Sequence, residues 1–268
     1  MLTYRWRADD ADHELSLVRV PGTEGTPFLF GGGPKRRPVE VQDFYIGSTP
    51  VTQALWQHIM GSNRARRVEQ RAPMDNVSWN DVTGAHGFLE RINSGPVRLA
   101  VDLGRSMAFR LPTETEWEYA ARGGPRWTDD FAFAGSNDPD RVAWYGPRWS
   151  RRHRLMAAVF GSAIGWRLAG KMNAPKATRT HAVATKEPNQ LGLYDMSGNV
   201  WEWCQDPCVE LDDVPANGSA ATRMSSERRL RGGCHHNWDL HCRVWWRYGI
   251  APDAHDGCIG FRLVLAPE

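Results

Sequence analysis

The sequence has 268 residues, enough for one large domain or two small ones, and its 41% hydrophobic content, with 13 Trp, can supply a sizeable core. A net charge of +2, with Lys and Arg spread along the chain, excludes the strong positive field that would favour nucleic acid or an anionic membrane. We therefore expect no nucleic-acid partner. The five Cys are an odd number, which leaves at least one free thiol and indicates no disulfide framework.

No segment of the sequence is typical of membrane insertion. Residues 1–10 lack the apolar core of a signal peptide, and a run of 18 apolar residues occurs nowhere. These observations predict no transmembrane segment and a cytoplasmic location by default. They leave display at the cell surface open.

Two short amphipathic helices are predicted in the first hundred residues. In the first, Val51, Leu55 and Ile59 recur every four residues between a cap-like Thr49 and a closing Gly61. The second follows Ser78 as one helix whose apolar face includes Val82, Phe88 and Ile92, and it ends at Gly95 before a proline.

The remaining elements complete an α+β pattern. A third helix is predicted to begin at Thr113, because Thr113 and Glu116 have the spacing of a capping box. The C-terminal third alternates Gly, Trp and short apolar pieces, which is typical of loops around a few strands. An Arg-rich and then apolar stretch at residues 146–172 predicts an insertion, which either docks a partner or touches a membrane, or else packs on the body as an ordinary surface excursion.

Four segments carry the most specific signal. Residues 192–203 read Gly-Leu-Tyr-Asp-Met-Ser-Gly-Asn-Val-Trp-Glu-Trp, a run too specific for a generic core. The others, in chain order, are residues 44–52, residues 110–122, and residues 231–233 with 259–264. Together they resemble the formylglycine-generating-enzyme (sulfatase-modifying factor) family over about residues 15–264. The resemblance implies a single domain over residues 1–268 with the family's C-type lectin-like fold, which is α+β and loop-rich, with short antiparallel strands and a few helices.

The same resemblance also concerns copper binding by a pair of cysteines. Catalytic members of the family oxidise a substrate cysteine with copper held by a Cys-x4-Cys pair after Arg-Gly-Gly, and thiolates suit Cu(I) because both are soft. Cys242 falls at the second position of that pair, whereas Asn237 occupies the first. Half of the family's copper site is therefore missing. A rearranged site that uses Cys234 stays possible.

Histidines near the C-terminus offer another kind of metal ligand. His235, His236, His241 and His255 could donate nitrogen to iron, copper or zinc. The iron-dependent sulfoxide synthases, a branch of the resembling family, use three histidines but carry an additional helical domain that these residues do not contain. Adjacent histidines on an extended segment point in opposite directions, which disfavours chelation by His235 and His236 together. We interpret the four as exposed loop residues.

Residues 234–258 have an unusual composition. They contain four of the nine His, three of the five Cys and three of the 13 Trp, but no Lys, Glu, Gln or Met. This resembles the variable region of proteins diversified by retroelements, where adenines of Asn codons are randomised and those four residue types never result. Arg243, Arg247 and residues 259–264 lie where such a region keeps fixed residues. We therefore expect a variable region within residues 231–264.

A lectin-like scaffold can keep buried glycines and aromatics while exposed side chains form a binding surface. Trp, Tyr and His on that surface give a large contact area at low entropic cost, as in antibody paratopes. The alternative is an ordinary loop-rich C-terminus. The predicted ligand-binding residues are Cys234, His235, His236, Asn237, Leu240, His241, Trp246, Tyr248, Gly249, Ile250, Ala251, Ala254, His255, Asp256, Gly257 and Cys258.

The resemblance also implies a calcium site. The backbone carbonyls of Gly198 and Val200 and the carboxylate of Glu202 are the matching ligands, and a hard cation favours such oxygens. The alternative is a Glu202 that is hydrogen-bonded in the core. Cys204 and Cys208 have Cys-x3-Cys spacing, which without a second pair is a weak indication of zinc.

The leading prediction is a non-catalytic ligand-binding protein of the receptor or adhesin type, diversified by a retroelement. Its target is a macromolecule, and an aromatic-rich surface favours a protein. The alternative is a copper-dependent formylglycine-generating oxidase that uses Cys242, with Cys234 or a nearby His, on a peptide thiol. A structural or assembly subunit is a third possibility. Dependence on copper distinguishes the first two.

Overall fold

The structure is a computed structural model, which describes residues 1–33, 35–95, 97, 106–146 and 179–267. The predicted insertion at residues 146–172 lies outside the described part of the chain, apart from residue 146. Within the described ranges, every helix is too short or too polar to traverse a lipid bilayer.

A five-stranded antiparallel sheet contains both ends of the chain. Its order is β1-β2-β5-β13-β6, so the last strand of the sequence pairs on both sides with strands from the first half. A two-residue turn joins β1 to β2, and Asp9 and Asp10 there have φ of 49° and 58°, as hairpin turns of this length require. The strands are β1 Leu2–Ala8, β2 Ala11–Val20, β5 Phe44–Gly47, β6 Met107–Arg110 and β13 Val264–Pro267.

A four-stranded sheet is built from the C-terminal third, as the alternation of Gly, Trp and apolar pieces predicts. Its order is β11-β10-β9-β12, with β12 parallel to β9 and the remaining pairs antiparallel. The strands are β9 Trp201–Pro207, β10 Arg228–Arg231, β11 Tyr248–Ile250 and β12 Ile259–Phe261. The remaining strands form two two-stranded sheets: β3 Phe28–Phe30 with β4 Arg37–Val39, and β7 Ala143–Trp144 with β8 Ser197–Gly198.

The first predicted helix is confirmed as α1 (Gln53–Met60), with one correction at its start. Thr52, not Thr49, is the capping residue, and its side chain accepts a hydrogen bond from the Leu55 backbone N–H. Gly61 ends the helix with a φ of 75°, a conformation that favours glycine.

The prediction of one helix after Ser78 is wrong, because the structure has two. They are α2 (Trp79–Thr83), which Ser78 and Asp81 cap, and α3 (Phe88–Ser94). The linker turns between them, with His86 at a φ of 59°, and two glycines border it. The apolar spacing from Val82 to Ile92 therefore spans a break, and both helices still bury that face.

Helix α4 (Glu114–Arg122) confirms the predicted capping box, and all nine of its residues are buried. Its N-terminus is held by Thr113 and its C-terminus by Gly123, which has a φ of 108°. The short helix α5 spans Pro139–Val142, and 3-10 turns lie at Gly124–Arg126, Leu211–Asp213 and Asp239–Cys242. The elements confirm the α+β prediction.

Two large groups of buried side chains form the core. One joins β1 and β2 to α1, α3 and the four-stranded sheet, and Trp56, Phe88 and Phe261 stack or meet edge to face within it. The other surrounds Trp117 of α4 and contains Phe30 of β3. Helix α4 and the four-stranded sheet thus form the rigid base on which the C-terminal loops rest.

Candidate ligand-binding site

All four of the family-like segments meet at one buried ion pair. The Arg262 guanidinium bonds both oxygens of Glu202, each at 2.9 Å, and neither side chain is exposed. Arg262 also donates to the Gly47 carbonyl at 2.7 Å, and the Trp117 indole N–H donates to Glu202 at 2.7 Å. One charge pair therefore joins the two sheets and α4.

The turn that precedes β9 is just as constrained. A Cβ on Gly198 would lie 2.1 Å from the Trp144 carbonyl oxygen, so no other residue fits there, and the φ of 81° favours glycine as well. At Glu202 both carboxylate oxygens already accept hydrogen bonds and a guanidinium neutralises the charge. These contacts favour the alternative, a Glu202 that is hydrogen-bonded in the core. Calcium binding by Gly198, Val200 and Glu202 stays a prediction, which calorimetric titration would test.

A second group of buried charges fixes the predicted variable region to α4. Arg247 bonds both oxygens of Glu114 at 2.7 Å, and Arg229 and Arg231 lie within 3.6 Å of the same carboxylate. Burial raises the pKa of Glu114, but the hydrogen bonds and charge of Arg247 and the charges of the other two arginines outweigh it, so the pKa is below its ordinary value. Arg247 is thus anchored to α4, whereas its fixed position within a variable region stays a prediction.

A cavity of about 370 Å³ opens above the four-stranded sheet, and we call it the C-terminal cavity. Its wall combines aromatic, imidazole and carboxylate side chains, a mixture typical of a binding site. The predicted residues that line it are His236, Asn237, His241, Trp246, Tyr248, Ile250, Asp256 and Cys258.

Three further residues line the C-terminal cavity that were not predicted from the sequence. Trp201 and Ile259 are cross-strand partners in β9 and β12, and Leu230 belongs to β10. The Trp201 ring also packs against Tyr248, with ring centroids 5.3 Å apart. Strand register places these side chains, and a single sequence carries no local signal for it.

The other predicted residues lie away from this cavity. Leu240 is buried, and a Cβ on Gly249 would lie 1.9 Å from the Cys208 sulfur, so neither offers a free side-chain position. His255 is exposed beside a separate polar cleft that Arg64 and Asp81 also line. Those outside the cavity lining are Cys234, His235, Leu240, Gly249, Ala251, Ala254, His255 and Gly257.

The two adjacent histidines do not diverge as an extended segment would require. The chain turns at His235 and His236, and their rings lie 5.1 Å apart and nearly perpendicular. Among the described residues, Cys234, His235 and His236 are the one group of three whose potential ligand atoms all lie within 4.8 Å of one another. The expectation that their directions disfavour joint chelation is therefore wrong, and so is the interpretation of His235 as exposed, since it is 5% exposed.

Cys242 has surroundings that disfavour a thiolate. It is fully buried, and burial, followed by the charge of Asp239, raises the pKa of its thiol. Asn237 accepts a hydrogen bond from the Cys234 thiol at 3.0 Å. The position that copper would share with Cys242 is thus occupied by an amide engaged elsewhere.

Comparisons with known proteins agree with this architecture. Residues 12–267 match the sulfatase-modifying factor enzyme 1-like domain. The chaperone protein LppX of Paenibacillus barcinonensis is 32% identical over 62% of the chain, and the formylglycine-generating enzyme of Streptomyces coelicolor is 31% identical over 79%. The chain spans 63% and 58% of the lengths of those two proteins, which is less than two thirds of each.

A solved structure resembles the whole fold. Treponema denticola variable protein 1 superposes with a TM-score of 0.72 over 99% of both chains, at 24% sequence identity. Such a likeness concerns the fold, and it agrees with the α+β, C-type lectin-like prediction. From its sequence match over nearly its whole length, and from the ion pair that joins its four motifs, the chain belongs to the sulfatase-modifying factor (formylglycine-generating enzyme) family.

Proposed function

We propose that this protein is a non-catalytic ligand-binding protein of the receptor or adhesin type, diversified by a retroelement, which binds a protein target through its C-terminal surface. The observation that carries the proposal is the C-terminal cavity, where eight residues from one compositionally unusual segment meet around an aromatic wall. Trp201, Trp246 and Tyr248 there are the residue types that anchor protein interfaces.

The division between framework and surface supports the proposal. Arg247 and Trp238 are anchored or buried, whereas His236, Tyr248 and His255 are exposed within the same segment. A scaffold of this kind can exchange exposed side chains without disturbing the ion pairs beneath them. The whole-chain likeness to a variable protein agrees with this division.

The test is deep sequencing of the part of the gene that encodes residues 231–264 across a population of the source organism, with the neighbouring DNA. We expect substitutions confined to the codons for residues 234–258, beside a near-copy of the segment and a reverse transcriptase gene. Residues 110–122 provide an internal control and should not vary. An invariant segment without a near-copy would contradict the proposal.

The alternative is a copper-dependent formylglycine-generating oxidase that uses Cys242. The 31% identity to the Streptomyces coelicolor enzyme favours it, whereas Asn237 and the buried, protonated thiol of Cys242 oppose it. Anaerobic titration with Cu(I) separates the two functions. Stoichiometric binding that a Cys242→Ser change abolishes, together with oxidation of a peptide thiol, would establish the oxidase.

A further inference from the structure

Three potential metal ligands lie close together near the C-terminal cavity, and a fourth, Cys258, adjoins one of them. The ligand atoms of Cys234, His235 and His236 lie within 4.8 Å of one another. The Cys258 sulfur lies 3.9 Å from His236 Nε2, and the Cys234 side chain raises the pKa of the Cys258 thiol. Two sulfurs and two imidazoles from separate turns of the chain therefore converge.

His235 is oriented as a metal ligand would be. Its Nδ1 lies 3.1 Å from the Asn199 carbonyl oxygen, so Nδ1 must carry the proton and Nε2 is left with a free lone pair. Ligating histidines in proteins commonly donate their other ring N–H to a backbone carbonyl, which fixes the ring. The Asn199 carbonyl also accepts the His235 backbone N–H at 3.0 Å, so the whole residue is held in place.

The backbone around the cluster is rigid. Cys234 follows Gly232 and Gly233, whose φ values are 92° and 73°, and a Cβ on Gly233 would lie 2.7 Å from the Cys242 sulfur. Cys258 precedes β12, and its carbonyl accepts the Trp201 backbone N–H at 2.8 Å. Constrained glycines and a backbone hydrogen bond therefore fix the turns that carry the ligands.

Burial separates the cluster into an inner and an outer side. Cys234, His235 and Cys258 are no more than 6% exposed, whereas His236 is exposed and lines the cavity together with Cys258. A cation among them would be shielded from water by Cys234, His235 and Cys258. Through His236 it would hold part of the wall of the C-terminal cavity in place.

We propose that Cys234, His235, His236 and Cys258 form a tetrahedral site for Zn²⁺. Two thiolates and two imidazoles are a common ligand set for this ion. Donor atoms around one tetrahedral zinc lie about 3.3–3.8 Å apart, given Zn–S bonds of about 2.3 Å and Zn–N bonds of about 2.0 Å. The ligand atoms of Cys234, His235 and His236 must approach one another by up to about 1.5 Å, and the two thiol protons pass to solvent as zinc binds.

This site is separate from the position that the family's copper pair would occupy. That position comprises Asn237 and Cys242, and the zinc site uses neither. The proposal goes beyond the ligand-binding role and does not depend on variation of residues 234–258. Failure of either proposal would therefore leave the other in place.

The test uses the full chain, reduced and freed of metal, titrated with Co²⁺ as a spectroscopic substitute for Zn²⁺. We expect one equivalent of Co²⁺ to produce the intense visible bands of tetrahedral cobalt and a sulfur-to-cobalt charge-transfer band in the near ultraviolet. One equivalent of Zn²⁺ should remove both. Cys258→Ser should weaken binding at least tenfold, whereas Cys242→Ser and Cys208→Ser should leave it unchanged.

A measurement without substitutions keeps the proposal testable if Cys258→Ser does not fold. In enough urea to make buried thiols reactive, Zn²⁺ should protect Cys234 and Cys258 of the natural protein from alkylation more than the equally buried Cys204 and Cys242, as read by mass spectrometry of its peptides. Protection of Cys234 and Cys258 no greater than that of Cys204 and Cys242 would overturn the proposal. So would cobalt bands that depend on Cys242 and not on Cys258.

Discussion

The effect of an arginine–carboxylate pair on the stability of this fold depends on whether the pair is buried. The pair between Glu202 and Arg262 is inaccessible to water on both sides, whereas that between Arg5 and Glu14 is largely exposed. A buried charge that loses its partner is left without compensation, whereas an exposed one regains water. The same side-chain chemistry therefore has very different consequences at the two places.

Arg262→Met should lower the free energy of unfolding by about 3–5 kcal/mol, because it leaves the Glu202 carboxylate buried with the Trp117 indole as its remaining donor. The matched change Arg5→Met should lower the free energy of unfolding by no more than about 1 kcal/mol. Urea unfolding of both variants measures the difference. Equal effects would show that the buried pair contributes no more than a surface one.

Within residues 234–258, tolerance to substitution should follow burial. We expect His255→Ala, at an exposed position, to change stability by no more than about 0.5 kcal/mol. Trp238→Ala, at a position only 8% exposed, should cost about 3–5 kcal/mol. Thermal unfolding compares the two. A large loss at His255 would argue against a recognition surface that is independent of the framework.

Caps and turns define the short helices. Helix α4 depends on Thr113, whose hydroxyl accepts the Glu116 backbone N–H and donates to the Gly218 carbonyl at 2.9 Å. Helix α1 depends on Thr52, which accepts a similar bond from Leu55. The first cap thus holds a loop as well as a helix, and the second holds a helix.

Thr113→Ala should therefore destabilise the protein by about 1–2 kcal/mol, at the upper end of the range for lost caps. Thr52→Ala should cost about 1 kcal/mol. The free energies of unfolding in urea give both values under one set of conditions. A larger loss from Thr52→Ala would contradict the role assigned to the bond with Gly218.

Across the whole molecule, a buried carboxyl lies where α4, β9 and the loop at Ala221 meet. Asp206 accepts the backbone N–H groups of Glu114 at 2.7 Å and Ala221 at 2.9 Å. Burial, and then repulsion by the Glu114 carboxylate, raises the pKa of Asp206 to about 7. Because the pKa is higher in the folded chain, the folded state binds more protons than the unfolded state between about pH 4 and 7.

The contribution of Asp206 to stability should thus be largest near pH 4 and should fall as pH rises to 7. Relative to Asp206→Asn, which does not ionise, the natural protein should lose up to about 4 kcal/mol across this window. The difference between the two urea midpoints at each pH isolates Asp206 from histidines that titrate in the same range. A difference that is constant with pH would refute the raised pKa.

Local signals in the sequence predicted the elements better than the site. The cap of α4 and the closing Gly61 were readable because both act within four residues. The break between α2 and α3 could not be read from the sequence, since the apolar spacing continues across it. Long-range contacts place His235 beside the Asn199 carbonyl and Trp201 beside Ile259, so the cavity wall and the ligand cluster could not be read from spacing.

The position of β13 makes one sheet depend on residues far apart in the sequence. This strand follows residues 234–258 in the sequence, yet it lies between β5 and β6 in the five-stranded sheet. A stop codon or frameshift anywhere in residues 234–258 removes it and splits that sheet in two. The product is then an unfolded chain that cellular proteases clear, so the fold itself removes products of such errors.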